Sequence, residues 1–189
     1  MVFEEDIKNS LKVLKSGGVI LYPTDTVWGL GCDATNPSAV EKIFKIKSRS
    51  ETKSLIILAN GEAMVERYVK EVPETASRIT AVSDRPVTII YPGGKFLAPG
   101  VCSEDGSVGI RICIDEFCSE LIDRLRKPIV STSANFSGKP SPAHFGEIEE
   151  AVINAVDYVV RYRQNDRQKH SSSPVIKIDK NGVFTIIRM

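Results

Sequence analysis

The stretch VILYPTDTVWGLGCDATNP, residues 19–37, sets the architecture of this 189-residue chain. Its first five residues, Val19 to Pro23, form an apolar run with the length and composition of a short, fully buried strand. A second apolar run covers residues 27–32. Asn36 followed by Pro37 predicts a helix start, because asparagine caps helices and proline suits the first helical position.

The residues before this stretch predict an amphipathic helix. Ile7, Leu11 and Leu14 have the spacing of one helical face. Gly17 and Gly18 follow, and glycine commonly stands just past a helix C-terminus. The first helix should therefore end shortly before the first buried strand.

Helices and strands are mixed through the rest of the chain. We predict helices from Asn36, near 61–70, near 73–83, from Asp115 and near 144–153. Strands are predicted at 55–59, 87–91, 108–112, 129–132, 158–160, 175–178 and 183–187, with a hairpin signal at Asn181-Gly182. This order predicts an α/β fold with a mixed sheet, and the length suits a single domain, 1–189.

Composition and charge exclude several classes of protein. A net charge of +1 argues against a strong, general nucleic-acid binder, which would be more basic. The polar N-terminus has no apolar signal segment, and no run approaches the ~20 apolar residues of a membrane helix. We expect a cytoplasmic protein with reduced thiols and no membrane partner. Its four cysteines and two histidines form no recognised zinc pattern.

The first candidate for a functional cluster is the polar turn after the first strand. Thr24, Asp25 and Thr26 follow the strand end, which is where open α/β sheets meet their ligands. Gly29 and Gly31 permit a close approach of the backbone. The alternative is a structural turn, in which the threonines and the aspartate satisfy local amides.

The second cluster is KIKSRSETKS, residues 45–54, at the end of the second predicted helix. A polyphosphate could be bound by three cations of this cluster, Lys47, Arg49 and Lys53. The guanidinium would form paired hydrogen bonds, and the ammonium groups would act as point charges. They could equally oppose the dipole at the helix C-terminus.

The third cluster is STSANFSGKPSP, residues 131–142, directly after a buried strand. Ser131, Ser133 and Asn135 concentrate hydroxyl and amide groups at the strand's carboxyl end. A serine nucleophile would need a base, and no GxSxG motif is present, so these groups are interpreted as binding residues. Turns and helix caps remain the structural alternative.

Other motifs are missing from the sequence. It contains no GxxxxGK[ST] phosphate loop, no GxGxxG fingerprint and no set of carboxylates or His/Cys residues typical of a metal site. The polar run 161–173 is the best candidate for a mobile loop, with a solvated surface excursion as the alternative. From residue types alone, the chain is an α/β domain with an anion-binding cleft as its candidate site.

Together, the three clusters resemble one family, the YrdC/Sua5 threonylcarbamoyl-AMP synthases. The first motif is Pro-Thr-Asp-Thr-Val-Trp-Gly-Leu-Gly-Cys-Asp-Ala from Pro23. The K-x-R element is Lys47-Ser48-Arg49, and the S-x-N element is Ser133-Ala134-Asn135. Their order and spacing fit the family from about Gly17 to Arg188.

The resemblance implies a YrdC-like fold, a twisted mixed sheet flanked by helices around a large, concave, cationic cleft. It implies a reaction of L-threonine, bicarbonate and ATP that gives threonylcarbamoyl-AMP and pyrophosphate, with Mg²⁺ held by the ATP phosphates. A separate threonylcarbamoyl transferase complex would then modify adenosine 37 of tRNA. The chain looks like the short, single-domain form of the family.

The resemblance also assigns residues. Lys47 and Arg49 would act on the phosphates, with Lys53 as a supporting cation. Arg111 would hold the amino-acid carboxylate. The other implied binding residues are Thr24, Thr26 and Ser131 towards threonine, Ser107 and Ser133 towards the nucleotide, Asn135 in the wall of Ser131 and Ser133, and Ser173 at the family's serine in its late motif.

Several positions depart from the family pattern. Trp28 stands where tyrosine is common, and Ser50 stands where proline often follows the arginine. Cys113 and Pro174 replace a proline and a threonine, and Ser-Asp-Arg-Pro at 83–86 replaces Trp-Pro-Gly-Pro. These changes bear on catalytic competence and substrate preference more than on the fold.

Two other functions are compatible with these residues. One is a non-catalytic YrdC-like module that binds double-stranded RNA or assists ribosome maturation, which steep salt dependence of RNA affinity would favour. The other is a carbamoyl-adenylate enzyme like the YrdC-like part of hydrogenase-maturation proteins. That part usually lies in longer chains with zinc-finger-like and acylphosphatase-like regions, which this sequence lacks.

Overall fold

The computed structural model describes residues 2–48, 55–168 and 171–189. The helices among them are α1 Val2–Lys15, α2 Pro37–Lys47, α3 Glu62–Tyr68, α4 Glu74–Val82, α5 Glu116–Leu125 and α6 Glu150–Ile153, with a 3₁₀ turn at Phe145–Glu147. The strands are β1 Ile20–Tyr22, β2 Gly29–Gly31, β3 Ile56–Ala59, β4 Thr88–Tyr91, β5 Val108–Ile112, β6 Ile129–Ser133, β7 Tyr158–Val159, β8 Val175–Ile178 and β9 Phe184–Arg188.

The strands form one sheet in the order β7-β1-β2-β6-β3-β5-β4-β8-β9. β1 with β7, β3 with β5 and β4 with β8 pair in parallel, and the other neighbours pair antiparallel. The predicted α/β fold with a mixed sheet is therefore confirmed. β8 and β9 form the predicted hairpin, with Asn181 and Gly182 in its turn.

The ends of three helices follow the local sequence as predicted. At the end of α1, the amides of Gly17 and Gly18 donate to the carbonyls of Leu14 and Val13, at 3.1 and 2.9 Å. Gly17 has a φ of 75° there, which is the left-handed conformation of this helix-ending motif. The side chain of Asn36 caps α2, and the side chain of Asp115 caps α5.

The single helix predicted near 144–153 is wrong. Phe145–Glu147 form a 3₁₀ turn, the backbone is extended at Ile148, and a short helix follows. Phe145 packs on Trp28 with ring centroids 4.9 Å apart, while Ile148 is buried in the core. Contacts with the rest of the molecule therefore override a weak helical pattern that contains Gly146.

Residues 161–168, the first of two described parts of the predicted mobile loop, are held by buried groups. The carboxylate of Asp6 on α1 accepts hydrogen bonds from the amides of Arg161 and Tyr162, at 3.0 and 2.7 Å. Arg163 pairs with Asp115 at 2.5 Å. These contacts fix the segment beside the turn that follows β1. Among the described residues, no helix combines the length and apolarity needed to cross a membrane.

Candidate functional site

The register of the sheet puts the predicted polar residues on one face. Ser131 of β6 lies opposite Ile56 of β3, which lies opposite Gly109 of β5. Partners in neighbouring strands share a face, and side chains alternate along each strand. Ser133 and Arg111 therefore lie on the same face as Ser131, so strands distant in sequence bring these groups together.

A cavity of about 260 Å³ opens at this face. Five of the predicted binding residues line it together: Thr26, Arg111, Ser131, Ser133 and Ser173. The other lining residues are Val27, Gly29, Leu55, Ile56, Thr132, Ser141, Ser172 and Arg188. The described part of the wall thus offers hydroxyl groups, two guanidinium groups and a small apolar patch.

The polar turn after β1 is both a structural turn and part of this site. The Thr24 hydroxyl donates to the Val27 carbonyl at 2.8 Å, and it accepts from the Thr26 amide at 3.1 Å. Since its proton is used on Val27, the Thr26 hydroxyl is the donor in their 3.1 Å contact. The turn thereby fixes Thr26 at the cavity wall.

Arg111 is the most deeply buried cation of the cavity, with an exposed fraction of 5%. Its Nη2 lies 3.0 Å from Oδ1 of Asp25 and 3.4 Å from the Thr24 hydroxyl. Its Nη1 lies 3.5 Å from the Ser173 hydroxyl, and its Nε has no hydrogen-bond partner. These contacts leave hydrogen-bonding capacity of the guanidinium unused, which suits it to an incoming anion.

Asp25 is buried beside Arg111. Burial raises the pKa of its carboxyl group, and the nearby Arg111 opposes that rise only in part. The other oxygen, Oδ2, accepts from the amide of Ile114 at 3.2 Å. The carboxylate therefore connects the turn after β1 with the end of β5.

Lys47 lies at the C-terminus of α2 and is 3% exposed. Its ammonium donates to the carbonyl of Ser133 at 2.7 Å, and to the carbonyl and side-chain oxygens of Asn135 at 2.5 and 2.7 Å. The Ser133 hydroxyl donates to the same side-chain oxygen of Asn135 at 2.5 Å. Lys47 therefore builds the S-x-N wall and places a positive charge directly behind it.

Ser173 joins β4 and β9 at the opposite end of the cavity. Its hydroxyl lies 2.7 Å from the hydroxyl of Thr88, and its carbonyl accepts from Nη2 of Arg188 at 2.7 Å. Arg188 was not among the predicted site residues. No local pattern marks it, because the sheet order alone brings the end of β9 to the cavity.

Some predicted site residues lie elsewhere. Ser107 is buried before β5, where its amide donates to Asp105 at 2.9 Å, and it is not among the described residues that line the cavity. Arg49 and Lys53 lie outside the described residues. The cationic character of the cleft stays a prediction, since Arg111 is paired with Asp25.

The departures from the family pattern have definite places where the structure describes them. Trp28 is buried against Phe145. Cys113 is buried after β5, and burial raises the pKa of its thiol to about 12, so it stays protonated at neutral pH. The carbonyl of Pro174 accepts from the amide of Thr88. Residues 83–86 are largely exposed, and Ser50 lies outside the described residues.

The cavity offers binding and electrostatic groups rather than an evident general base. Among its described lining residues there is no acid, histidine or thiol. Within 2–48, 55–168 and 171–189, no three His, Cys, Asp or Glu side chains come together as a metal site. Such an arrangement can position substrates and stabilise developing charge.

Comparison with known proteins gives consistent similarities. The family model Sua5_yciO_yrdC, described as "Telomere recombination", matches residues 12–189. A threonylcarbamoyl-AMP synthase from Stenotrophomonas maltophilia is 32% identical over 160 residues, which cover 83% of this chain and 86% of the relative. The enzyme of the same name from Psychromonas ingrahamii is 36% identical over 137 residues, covering 71% and 72%.

A solved structure has the same fold. The structure of P. abyssi Sua5 complexed with L-threonine matches with a TM-score of 0.83 and 26% identity over 96% of this chain. The match covers 53% of the P. abyssi chain, so this chain spans about half of its length. The twisted mixed sheet flanked by helices is therefore the architecture of these proteins.

Proposed function

The chain belongs to the Sua5, YciO and YrdC family, and we propose that it is a threonylcarbamoyl-AMP synthase, a nucleotidyltransferase acting on L-threonine, bicarbonate and ATP. The observation that carries the proposal is the cavity beside Arg111, where a buried guanidinium with unused donors stands among hydroxyl groups. Its relatives from S. maltophilia and P. ingrahamii carry this name, and the P. abyssi relative binds L-threonine.

The described wall suits threonine in size and chemistry. Arg111 would bind the carboxylate, because a guanidinium matches a carboxylate with two parallel hydrogen bonds. Thr26 and Ser131 would meet the polar side of the amino acid. Leu55 and Ile56 would meet its methyl group, since both line the same cavity.

The S-x-N wall suits the nucleotide. We place ATP beside Ser133 and Asn135, with the phosphates towards Lys47 and, from the sequence, Arg49 and Lys53. The buried charge of Lys47 would stabilise negative charge that develops on the phosphates. Mg²⁺ would be carried by the ATP phosphates and would neutralise part of their charge.

The proposed reaction has two steps. The neutral amine of threonine attacks the carbon of bicarbonate, or of CO₂ derived from it, and the new N–C bond gives a carbamate. With CO₂ the nitrogen then releases a proton to solvent. With bicarbonate the C–OH bond breaks, and the hydroxide leaves with the amine proton as water. A carbamate oxygen then attacks the α-phosphorus of ATP. The bond from that phosphorus to the bridging oxygen breaks, and pyrophosphate leaves. Holding the three reactants in place can contribute up to about 7–11 kcal/mol.

The reactivity of the product implies a second enzyme that consumes it. An acyl adenylate is a reactive mixed anhydride, so a transferase complex that moves threonylcarbamoyl to tRNA would have to follow. Since these reactions use ATP and tRNA, we place the activity in the cytoplasm.

Pyrophosphate release tests the proposal directly. Purified protein is given ATP, Mg²⁺, bicarbonate and L-threonine, and each is omitted in turn. We expect release that needs both threonine and bicarbonate. If ATP binds but no pyrophosphate appears, the enzyme proposal fails, and RNA binding with a steep salt dependence becomes the function to test.

A second test concerns Arg49. We predict that Arg49→Ala lowers formation of the adenylate about 10²-fold or more, on the scale of losing one preorganised electrostatic contact. Turnover of this variant is compared with that of Arg67→Ala, which changes an arginine on α3 away from the described cavity lining. Near-normal turnover of Arg49→Ala would contradict its role at the phosphates.

A further inference from the structure

Asp25 lies between the two threonines of the first motif, yet its side chain does not serve that turn. Its side chain is 4% exposed, and its Oδ2 accepts from the amide of Ile114, 89 residues away. Its Oδ1 lies 3.0 Å from Nη2 of Arg111. The carboxylate therefore has two fixed points, both on β5 or just beyond it.

Apart from Asp25, only weak contacts hold the guanidinium of Arg111 in position. Its contacts with the hydroxyls of Thr24 and Ser173 are long, at 3.4 and 3.5 Å. Both hydroxyls are also engaged elsewhere, with Val27 and Thr88. Among the described residues, Asp25 is thus the charged partner that fixes the guanidinium at the cavity.

The interaction between Asp25 and Arg111 is mainly electrostatic and leaves some hydrogen-bonding atoms of both side chains without a partner. Oδ1 of Asp25 lies close to Arg111 but has no well-aligned hydrogen bond, and Nε of Arg111 has no partner. Asp25 consequently balances the buried charge without using all of the donors of the guanidinium. The remaining donors can serve a second carboxylate, provided that the guanidinium is held still.

We propose that Asp25 is the positioning residue of the amino-acid carboxylate site: it holds Arg111 in the orientation that binds threonine without touching threonine itself. This inference rests on the proposed function. Neutralising Asp25 leaves Arg111 buried with only long neutral contacts, so the guanidinium must be ordered when the amino acid binds, and affinity falls.

The test compares Asp25→Asn with the unchanged protein in steady-state assays. We expect the KM for L-threonine to rise about 10- to 100-fold, the scale of losing a group that orients a ligand-binding residue. The kcat and the KM for ATP should change little, because the lost interaction concerns binding of the amino acid alone. An unchanged threonine KM would overturn the inference.

Binding of L-threoninamide distinguishes positioning of Arg111 from a purely structural role of Asp25. It keeps the amine and the hydroxyl group of threonine but lacks the carboxylate. The unchanged protein should bind threonine much more tightly than threoninamide, and Asp25→Asn should reduce that preference by about the same 10- to 100-fold. If both ligands weaken equally, Asp25 supports the fold and does not position Arg111.

Asp33→Asn is the matched control. Asp33 is also a buried aspartate paired with a cation, with 2.6 Å to Nζ of Lys127, and it lies away from the cavity lining. This control should lose stability while keeping its threonine KM.

If Asp25→Asn does not fold, Asp25→Glu tests the positioning role instead, because it keeps the negative charge but moves it relative to Arg111. We then expect a raised threonine KM and a partly kept preference for threonine over threoninamide. A threonine KM equal to that of the unchanged protein would overturn the inference. If pyrophosphate release by the unchanged protein does not depend on threonine, the proposed function itself fails. That outcome differs from a failure of the inference about Asp25, which concerns only the variants.

Discussion

Lys47 has a structural role beside the phosphate-binding role that we propose for it. The ammonium group of Lys47 donates to three oxygen atoms of Ser133 and Asn135. A buried charge is tolerated when it is hydrogen-bonded in this way. The lysine that the sequence pattern assigns to phosphate binding therefore also shapes the wall that we assign to the nucleotide.

Replacement of Lys47 by methionine should separate these roles from general helix effects. The carbonyl of Asn135 loses its donor, while the carbonyl of Ser133 and the side-chain oxygen of Asn135 each keep one other donor. We therefore predict a loss of about 1–3 kcal/mol in the free energy of unfolding, together with reduced turnover. Denaturant unfolding and pyrophosphate release measure the two effects. Lys45→Met is the control, since Lys45 is on the same helix but exposed and paired with Glu41; equal behaviour of the two variants would contradict the assignment.

Gly29 keeps the cavity open by lacking a side chain. A Cβ atom there would lie 3.3 Å from Oγ of Ser131 and 3.4 Å from the carbonyl of Thr132. We predict that Gly29→Ala folds but raises the threonine KM about 10-fold or more, the effect of one extra methyl group in a tight pocket. Gly61→Ala, which would meet nothing within 4 Å, should not change the KM. A normal KM for Gly29→Ala would show that threonine binds elsewhere.

How far the sequence predicts the site depends on the residue. Thr26, Ser131 and Ser133 could be singled out because polar groups that directly follow buried apolar runs form local patterns, although Ser131 and Ser133 lie within β6 itself. Arg188 could not be found this way, since only the strand order brings it to the cavity. The contact from Asp25 to Ile114 spans 89 residues and leaves no local signal either.

At the level of helices and strands, capping residues and apolar runs predicted most elements. The hairpin at Asn181-Gly182 and the caps at Asn36 and Asp115 follow the expected places. The failure near 144–153 arose where Phe145 packs on Trp28, a contact between distant segments. Local propensity decides an element only when no stronger tertiary contact opposes it.

The connection of α1 to the segment 161–168 depends on Asp6. Its buried carboxylate accepts from the hydroxyl of Tyr158 at 2.6 Å and from the amides of Arg161 and Tyr162. We predict that Asp6→Ala lowers the free energy of unfolding by roughly 3 kcal/mol or more, because each donor left without an acceptor costs about 1–3 kcal/mol. Chemical denaturation measures the loss.

Hydrogen exchange shows where in the chain the loss of the Asp6 carboxylate is felt. The amides of Arg161 and Tyr162 should exchange faster in Asp6→Ala than in the unchanged protein. Glu5→Gln is the control, because Glu5 forms an exposed ion pair with Arg161 that is worth only about 0–1 kcal/mol. If Glu5→Gln proves as destabilising as Asp6→Ala, the buried carboxylate is not what holds this segment.

At the scale of the whole molecule, the sheet collects groups from both ends of the chain around one cavity. Thr26 comes from the first strands, Ser131 and Arg111 from the middle, and Ser173 and Arg188 from the last hairpin. A ligand that contacts all of these groups binds the folded state alone, because unfolding separates them. Ligand binding should therefore stabilise the entire fold.

Thermal unfolding with ligands tests this coupling. L-threonine at about 100 times its Kd should stabilise the protein by about 2.7 kcal/mol, and D-threonine at the same concentration should have little effect. Scanning calorimetry measures the shift in Tm. Equal shifts with both enantiomers would contradict a specific threonine site.

The identity of the product distinguishes a threonylcarbamoyl-AMP synthase from a protein that only binds ATP and threonine. The protein is incubated with ATP, Mg²⁺, L-threonine and ¹³C-bicarbonate, and the nucleotides are analysed by mass spectrometry. We predict threonylcarbamoyl-AMP that is one mass unit heavier than the product from unlabelled bicarbonate, together with pyrophosphate. An adenylate without the label, or no adenylate although ATP and threonine bind, would contradict the proposed synthase.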